Sequence, residues 1–284
     1  MEFLELVAIP DGHVADKCPF CPHEKAKDAD KTSYIGKNNN SKTLAENLTA
    51  NGDPKAKHLY YDSEFGIYRR YSAEAHHLVC GNEVLKEEGE VEKYLVKQSK
   101  QTSKGAAGYL EPNDVGYDVN CSGNGIWLPS VPDMFRKAAG KQEPDRWWGD
   151  QTDWNKKHPS KPPRISLDEW EKADAAFIVM DVVKRQFHKG SHGNVGEPHN
   201  NYVVMAIDRL QMVTIFLQHF ADVCPMEDDG TPRDKPPYYP PNGIVQILNS
   251  LSRNLEHELD GHPSEWNYFI SEYALKCAEW WKTH

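Results

Sequence analysis

Three short pieces of this chain follow one another in a fixed order. They are Ala75-His76-His77, then Asn124-Gly125-Ile126-Trp127-Leu128-Pro129, then His188-Lys189-Gly190-Ser191-His192 with His199 just beyond. Each dictates a local geometry. Neighbours on a strand point to opposite faces, so His76 and His77 separate two roles at one place. Asn124 before Gly125 is a turn, and the apolar run behind it reads as a strand. His188 and His192, four apart, can share a helix face or a helix end. The Gly-rich stretch 190–196 lets the chain curl until two of His188, His192 and His199 meet one ion. The fold must therefore bring short strands and a histidine-bearing segment to a common point.

The chemistry asks for the same arrangement. One imidazole takes a proton from water while others hold a divalent cation. The side-chain oxygen of Asn124 can accept the second ring proton of such a base and fix its tautomer. Each piece also has a plainer explanation: a chance histidine pair, a turn asparagine, and solvated loop histidines. The order of all three carries the argument. His13, His58, His158, His219, His257, His262 and His284 stand apart from these pieces and read as structural or surface residues.

Elsewhere the pattern is helix-rich with few short strands. Residues 1–70 look irregular, with turn signals at Asn38-Asn39-Asn40-Ser41 and Asn51-Gly52-Asp53-Pro54. Asn82 to Gln98 has helical spacing. Gly116 to Leu128 reads as a strand pair. Ser166-Leu167-Asp168-Glu169 has the form of a capping box, predicting a helix to about Phe187. Pro198 opens a helix whose apolar face includes Tyr202, Met205, Leu210, Val213 and Leu217. Further helices are expected at Ile244 to Leu259 and Glu265 to Lys282. There is no phosphate-cradling glycine loop, nucleophile elbow or dinucleotide fingerprint.

The net charge of -10 argues against a nucleic-acid binder that works through a global positive field. The charge is uneven, however. Arg136, Lys137, Lys141, Arg146, Lys156, Lys157, Lys161 and Arg164 cluster, with Trp147, Trp148 and Trp154 among them. Basic residues with aromatic platforms suit phosphate contacts and base stacking. A solvated loop with tryptophans plugging the core reads equally well. Of six cysteines, Cys18 and Cys21 have the spacing of a zinc knuckle, which Cys80, Cys121 or His23 would have to complete. Thiols in a reducing compartment are the alternative. No apolar run has transmembrane length, and Met1 to Pro10 lacks the features of a cleaved signal. Synthesis in the cytoplasm is expected, and any export proceeds without a cleaved signal.

Taken together, Ala75-His76-His77-Leu78-Val79, Gly116-Tyr117-Asp118-Val119-Asn120 running into Asn124-Gly125-Ile126-Trp127-Leu128-Pro129, and His188-x-Gly190-x-His192 ahead of Tyr202 resemble the AHH nucleases. These belong to the wider HNH, or His-Me finger, superfamily. The resemblance covers about residues 71–215 and implies an α+β fold, a ββα-metal core embedded in a mainly helical domain. It divides the chain into an irregular segment (1–70), a nuclease core (71–220) with an insertion at about 130–187, and an acidic, Pro-rich loop with C-terminal helices (221–284). His77 is implied as the general base and Asn124 as the residue that orients it. His76 is implied as a metal ligand, joined by two of His188, His192 and His199.

The implied activity is metal-dependent endonuclease cleavage, of DNA ahead of RNA, with one divalent ion: zinc, nickel, manganese or magnesium. Arg136, Lys156, Lys157 and Lys161 would contact substrate. Family members often act as antibacterial toxins delivered into a target cell, which implies a cognate immunity protein as partner. Two features depart from the family: the residues between the histidine cluster and the Tyr202 helix, and the long insertion. The rival reading is a non-catalytic interaction protein stabilised by zinc at Cys18, Cys21 and several histidines.

Overall fold

The computed structural model describes residues 3–14, 18–19, 39–55, 59–62, 67–91, 117–132, 146–161, 163–189, 192, 195, 200–224 and 244–284. In chain order the elements are α1 (Phe3–Leu6), α2 (Ser41–Ala50), β1 (Leu59–Asp62), β2 (Ile67–His77), and a π-helical turn (Gly81–Leu85) leading into α3 (Lys86–Glu88). Then come β3 (Gly125–Pro132), β4 (Arg146–Trp147), α4 (Thr152–Lys157), β5 (Ile165–Ser166), α5 (Glu169–Val183), α6 (Tyr202–Val223), α7 (Ile244–Leu259) and α8 (Glu272–Thr283). The chain is α+β. Strands β1, β2 and β3 form one sheet in that order, and β4 pairs with β5 in parallel. β1 and β2 are antiparallel, with Leu59 opposite Arg70 and Asp62 opposite Ile67. No helix among the described residues is long and apolar enough to cross a membrane.

The chain divides into two compact units that interleave along the sequence. One is built from Met1–Leu48, His77–Ile126 and Val203–Glu256, the other from Thr49–His76, Trp127–Tyr202 and His257–His284.

In the first unit, α7 buries Ile244, Ile247, Leu248, Leu251, Ser252 and Leu255, the three-and-four spacing that places side chains on one helix face. α6 buries Met205, Ala206, Leu210, Val213, Leu217 and Phe220. Each buried Ile, Leu, Val, Met or Phe among them contributes about 1.5–3 kcal/mol by leaving water. Arg209 of α6 donates to Asn254 Oδ1 of α7 at 2.6 Å. Helix α2 lies over the start of β3 so closely that a Cβ on Gly125 would sit 2.6 Å from Leu44 Cδ1, which explains a glycine there.

In the second unit, α5 and α8 meet through small residues, Ala175 and Ala176 against Ala274 and Ala278, with Met180 and Cys277 beside them. Trp148, Phe187, Trp266 and Phe269 fill the rest of that core. The cap of α5 sits two residues later than the sequence suggests. Asp168 Oδ1 accepts the Glu171 amide, and Glu171 Oε2 accepts the Asp168 amide, both at 2.9 Å. Ser166 belongs to β5, and its hydroxyl is committed to Gly149 O. Lys184 ends α5 in the left-handed region (φ 54), and extended chain follows.

Other elements are shorter than their sequence pattern suggests. The helical turns that begin at Gly81 end at Glu88, where Gly89 adopts φ 71; residues 92–98 of the helix expected from Asn82 lie outside the described residues. Residues 117–124 form turns, so the strand begins at Gly125. The helix expected from Pro198 begins at Tyr202, and α8 begins at Glu272 after a 3-10 turn at Pro263–Glu265.

Candidate active site

Three histidines converge in the second unit. His76, His188 and His192 each offer a ring nitrogen, and these atoms all lie within 4.8 Å of one another. His76 comes from the end of β2 and is buried. His188 and His192 do not share an α-helix, although their spacing allows it. His188 lies in extended chain after α5, and its amide donates to Pro129 O of β3 at 2.7 Å.

What fixes that segment is Gln186, buried and used three times. Its Nε2 donates to Glu258 O and Tyr268 O at 2.8 and 2.7 Å, and its Oε1 accepts the Ile270 amide at 3.0 Å. Ser271 Oγ donates to Phe187 O at 2.5 Å. The chain leading into His188 is thereby held by hydrogen bonds that helix or sheet would otherwise supply. Asn201 does the same for His192, donating from Nδ2 to its carbonyl at 3.2 Å.

The proton positions follow from the partners. His188 Nδ1 lies 2.9 Å from Glu74 Oε2. A carboxylate only accepts, so Nδ1 carries the hydrogen and Nε2 presents its lone pair toward His192. His188 Nε2 and His192 Nε2 are 2.8 Å apart. The His188 bond holds the Glu74 carboxyl below its ordinary range, against a smaller opposing effect of burial. Three imidazole nitrogens, one aligned by a carboxylate, are a donor set that fits zinc, nickel or another transition ion. Two nitrogen ligands on one tetrahedral zinc stand about 3.3 Å apart, between the 2.8 Å that separates His188 Nε2 from His192 Nε2 and the 4.8 Å within which all three donors lie. Among the described residues the pair brought to His76 is His188 with His192; His199 lies outside them.

His77 belongs to the first unit and is 4% exposed. Its Nε2 lies 2.9 Å from Asn120 Oδ1. The same Oδ1 accepts the Asn40 amide at 2.9 Å, which identifies it as oxygen, so His77 Nε2 is the donor. The neutral ring then has its lone pair on Nδ1. Burial lowers the His77 pKa, and the Asn120 bond only partly opposes it.

Asn124, expected to orient His77, has another task. Its Oδ1 accepts the Val79 amide at 2.7 Å and the Ser252 hydroxyl at 2.9 Å. Its Nδ2 donates to Val79 O and Val119 O at 3.0 and 2.8 Å. With both donors and both lone pairs engaged, the side chain has nothing left for an imidazole. Its backbone carbonyl accepts the Leu78 amide. Asn120 is the residue that turn chemistry aims at the ring, and Asp118 Oδ1 holds its amide at 2.8 Å. The Asp118-Val119-Asn120 stretch is an Asx-type turn signal that points to it.

The basic stretch is partly described. Lys156 and Lys157 end α4 and Lys161 follows it, all exposed. Lys156 is 3.9 Å from Asp153, and both side chains are solvated. Arg136 lies outside the described residues. The tryptophans are already occupied. Arg164 stacks on Trp147 at 3.4 Å and on Trp154 at 3.5 Å, and Trp148 is buried against Phe187 and Tyr273. Base stacking on these rings would have to displace Arg164, so the lysines are the part able to meet phosphate.

Cys18 groups with His13 and Cys224, and Cys21 and His23 lie outside the described residues. Asn39 Nδ2 donates to Cys80 Sγ at 3.1 Å, and Cys121 Sγ lies 4.0 Å from Asn249 Oδ1. Residue pattern alone did not single out Glu74, Asn120, Gln186 or Cys224. Comparison with protein-family models, curated proteins and solved structures finds no match to this chain.

Proposed function

We propose that this chain is a metal-dependent endonuclease of the His-Me finger type, with β2, β3 and the helix opening at Tyr202 as its ββα-metal core. The observation that carries this reading is the convergence of His76, His188 and His192, with Glu74 behind His188 and a tautomer-fixed histidine at the next position in the chain. His76 and His77 share a peptide bond, so their Cα atoms are about 3.8 Å apart, and strand geometry turns their rings to opposite sides.

Division of labour follows from the donor chemistry. His76, His188 and His192 hold the cation through ring nitrogens, and Glu74 keeps His188 in the tautomer that ligates. A divalent ion, when bound, offsets negative charge on the scissile phosphate and on the leaving oxygen. His77 takes the proton of the attacking water on Nδ1. Asn120 holds Nε2–H so that this nitrogen stays unprotonated beforehand, and burial favours the neutral ring. Lys156, Lys157 and Lys161 supply positive charge for the substrate backbone, with Arg136 assigned to the same task by sequence. DNA is the preferred substrate over RNA. In the same reading the protein is an antibacterial effector, held in check by an immunity protein and delivered into a target cell.

The test is direct. Purified protein is incubated with plasmid DNA and with structured RNA, after chelation and after return of zinc, nickel, manganese or magnesium. Cleavage that needs the ion and disappears in His77→Ala, with metal content unchanged, is the expected result. A folded, metal-loaded protein that cuts neither polymer with any of the four ions would sink the proposal. The zinc-stabilised interaction protein would then stand, supported by the second His/Cys donor cluster at His13, Cys18 and Cys224.

A further inference from the structure

That second cluster lies in the first unit. His13, Cys18 and Cys224 each offer one ligand atom, all within 4.8 Å of one another. Cys18 is 0% exposed and Cys224 is buried, while His13 reaches the surface in part. The donors come from segments far apart in sequence. His13 and Cys18 follow α1, and Cys224 follows the last residue of α6. The Cys224 amide donates to Phe220 O at 2.9 Å, so the last turn of α6 fixes the backbone that carries the thiol. Phe220 meets the His13 ring edge-on, with centroids 6.5 Å apart.

We propose that His13, Cys18 and Cys224 bind a structural zinc ion that clasps the N-terminal segment to the end of α6. Two sulfurs and an imidazole form a soft, borderline donor set that selects zinc over magnesium or calcium. Ligands on one tetrahedral zinc stand about 3.5–3.8 Å apart, which the observed cluster accommodates. Buried cysteines often serve as small apolar residues. That role does not call for two of them, drawn from remote segments, to converge on one imidazole. Cys18 also opens the Cys18-Pro19-Phe20-Cys21 spacing of a zinc knuckle, whose second cysteine lies outside the described residues. The clasp has a structural purpose. Among the described residues, the segment carrying His13 has few buried apolar anchors of its own, Phe3 and Val7 among them. A metal bond between distant segments offsets the entropy of holding it in place.

The site is separable from the histidine triad by its sulfur. Full-length protein, purified with reductant, is stripped of metal and reloaded with cobalt(II). A thiolate-to-cobalt charge-transfer absorption in the near ultraviolet reports sulfur ligation, which three histidines cannot produce. The band is expected in wild type, in His192→Ala and in Cys277→Ser, and is expected to vanish in Cys18→Ser and Cys224→Ser. Those two variants should also lose one equivalent of zinc. Should the serine variants fail to fold, His13→Ala reads the same site through a weakened, shifted band. Folded wild type without the band overturns the proposal. So does a thiol count on denatured, non-reduced protein that falls two short and maps to a Cys18–Cys224 disulfide.

Discussion

Glu74 Oε2 accepts a hydrogen bond from His188 Nδ1 at 2.9 Å, so a carboxylate on β2 decides which nitrogen of a histidine 114 residues away faces His192. Replacing Glu74 tests whether this alignment matters. Gln at position 74 still accepts from Nδ1 but loses the charge, whereas Ala loses both. Metal affinity at the triad should fall by about 10- to 100-fold in Glu74→Ala, with Glu74→Gln between it and wild type. Competition with a chromophoric chelator measures this. Equal affinity in all three proteins would remove Glu74 from the site.

The two asparagines should separate cleanly. Asn120→Ala takes away the acceptor of His77 Nε2–H and should lower cleavage roughly 10- to 100-fold while metal content persists. Asn124→Ala leaves the Val79 amide, two carbonyls and the Ser252 hydroxyl without their buried partner, and should destabilise the fold by about 3 kcal/mol or more. Denaturant unfolding and single-turnover cleavage, measured on both variants, give the comparison. Reversal of the two phenotypes would return Asn124 to the role its sequence context suggested.

Gln186 is the support of the His188 segment. Gln186→Leu is close in volume but strands two carbonyls and an amide, so about 3 kcal/mol of stability should go. Metal binding should weaken with it, because the loop that presents His188 loses its fixed path. A variant with unchanged melting temperature and full metal occupancy would show that Phe187 and Ser271 suffice.

Neutralising Lys156, Lys157 and Lys161 together should weaken nucleic-acid binding and flatten its salt dependence. On duplex DNA the logarithmic slope should drop by about 0.9 for each phosphate no longer neutralised. Stability should barely change, since all three side chains are solvated. The measurement is affinity against salt in a His77→Ala background. An unaltered slope would assign these lysines to solvent.

Local signals were legible in the sequence wherever one segment contained its own explanation. The spacing of Ile244, Ile247, Leu248, Leu251 and Leu255 marks one helix face, and α7 runs over Ile244–Leu259 as that spacing requires. The capping chemistry before α5 was visible too, but its register was not. Ser166 and Asp168 are both competent caps, and the choice fell to Asp168 because Ser166 is engaged by Gly149. The two histidine-bearing pieces and the asparagine piece between them could be named for the same reason: side-chain chemistry is carried by the residues themselves.

Which residues meet is a different matter, decided by tertiary structure. His188 reaches His76 because Gln186 pins an extended segment between distant backbone groups, and a side chain that bonds three remote partners leaves no periodic trace. Asn120 rather than Asn124 faces His77 because hydrogen-bonding capacity is finite, and Asn124 spends all of its own on Val79, Val119 and Ser252. Cys224 stands beside Cys18 because α6 ends there. The sequence by itself determined the kinds of donor, the helix faces and the α+β character. Only folding set the partners, since a contact between remote residues depends on the path of all the chain between them.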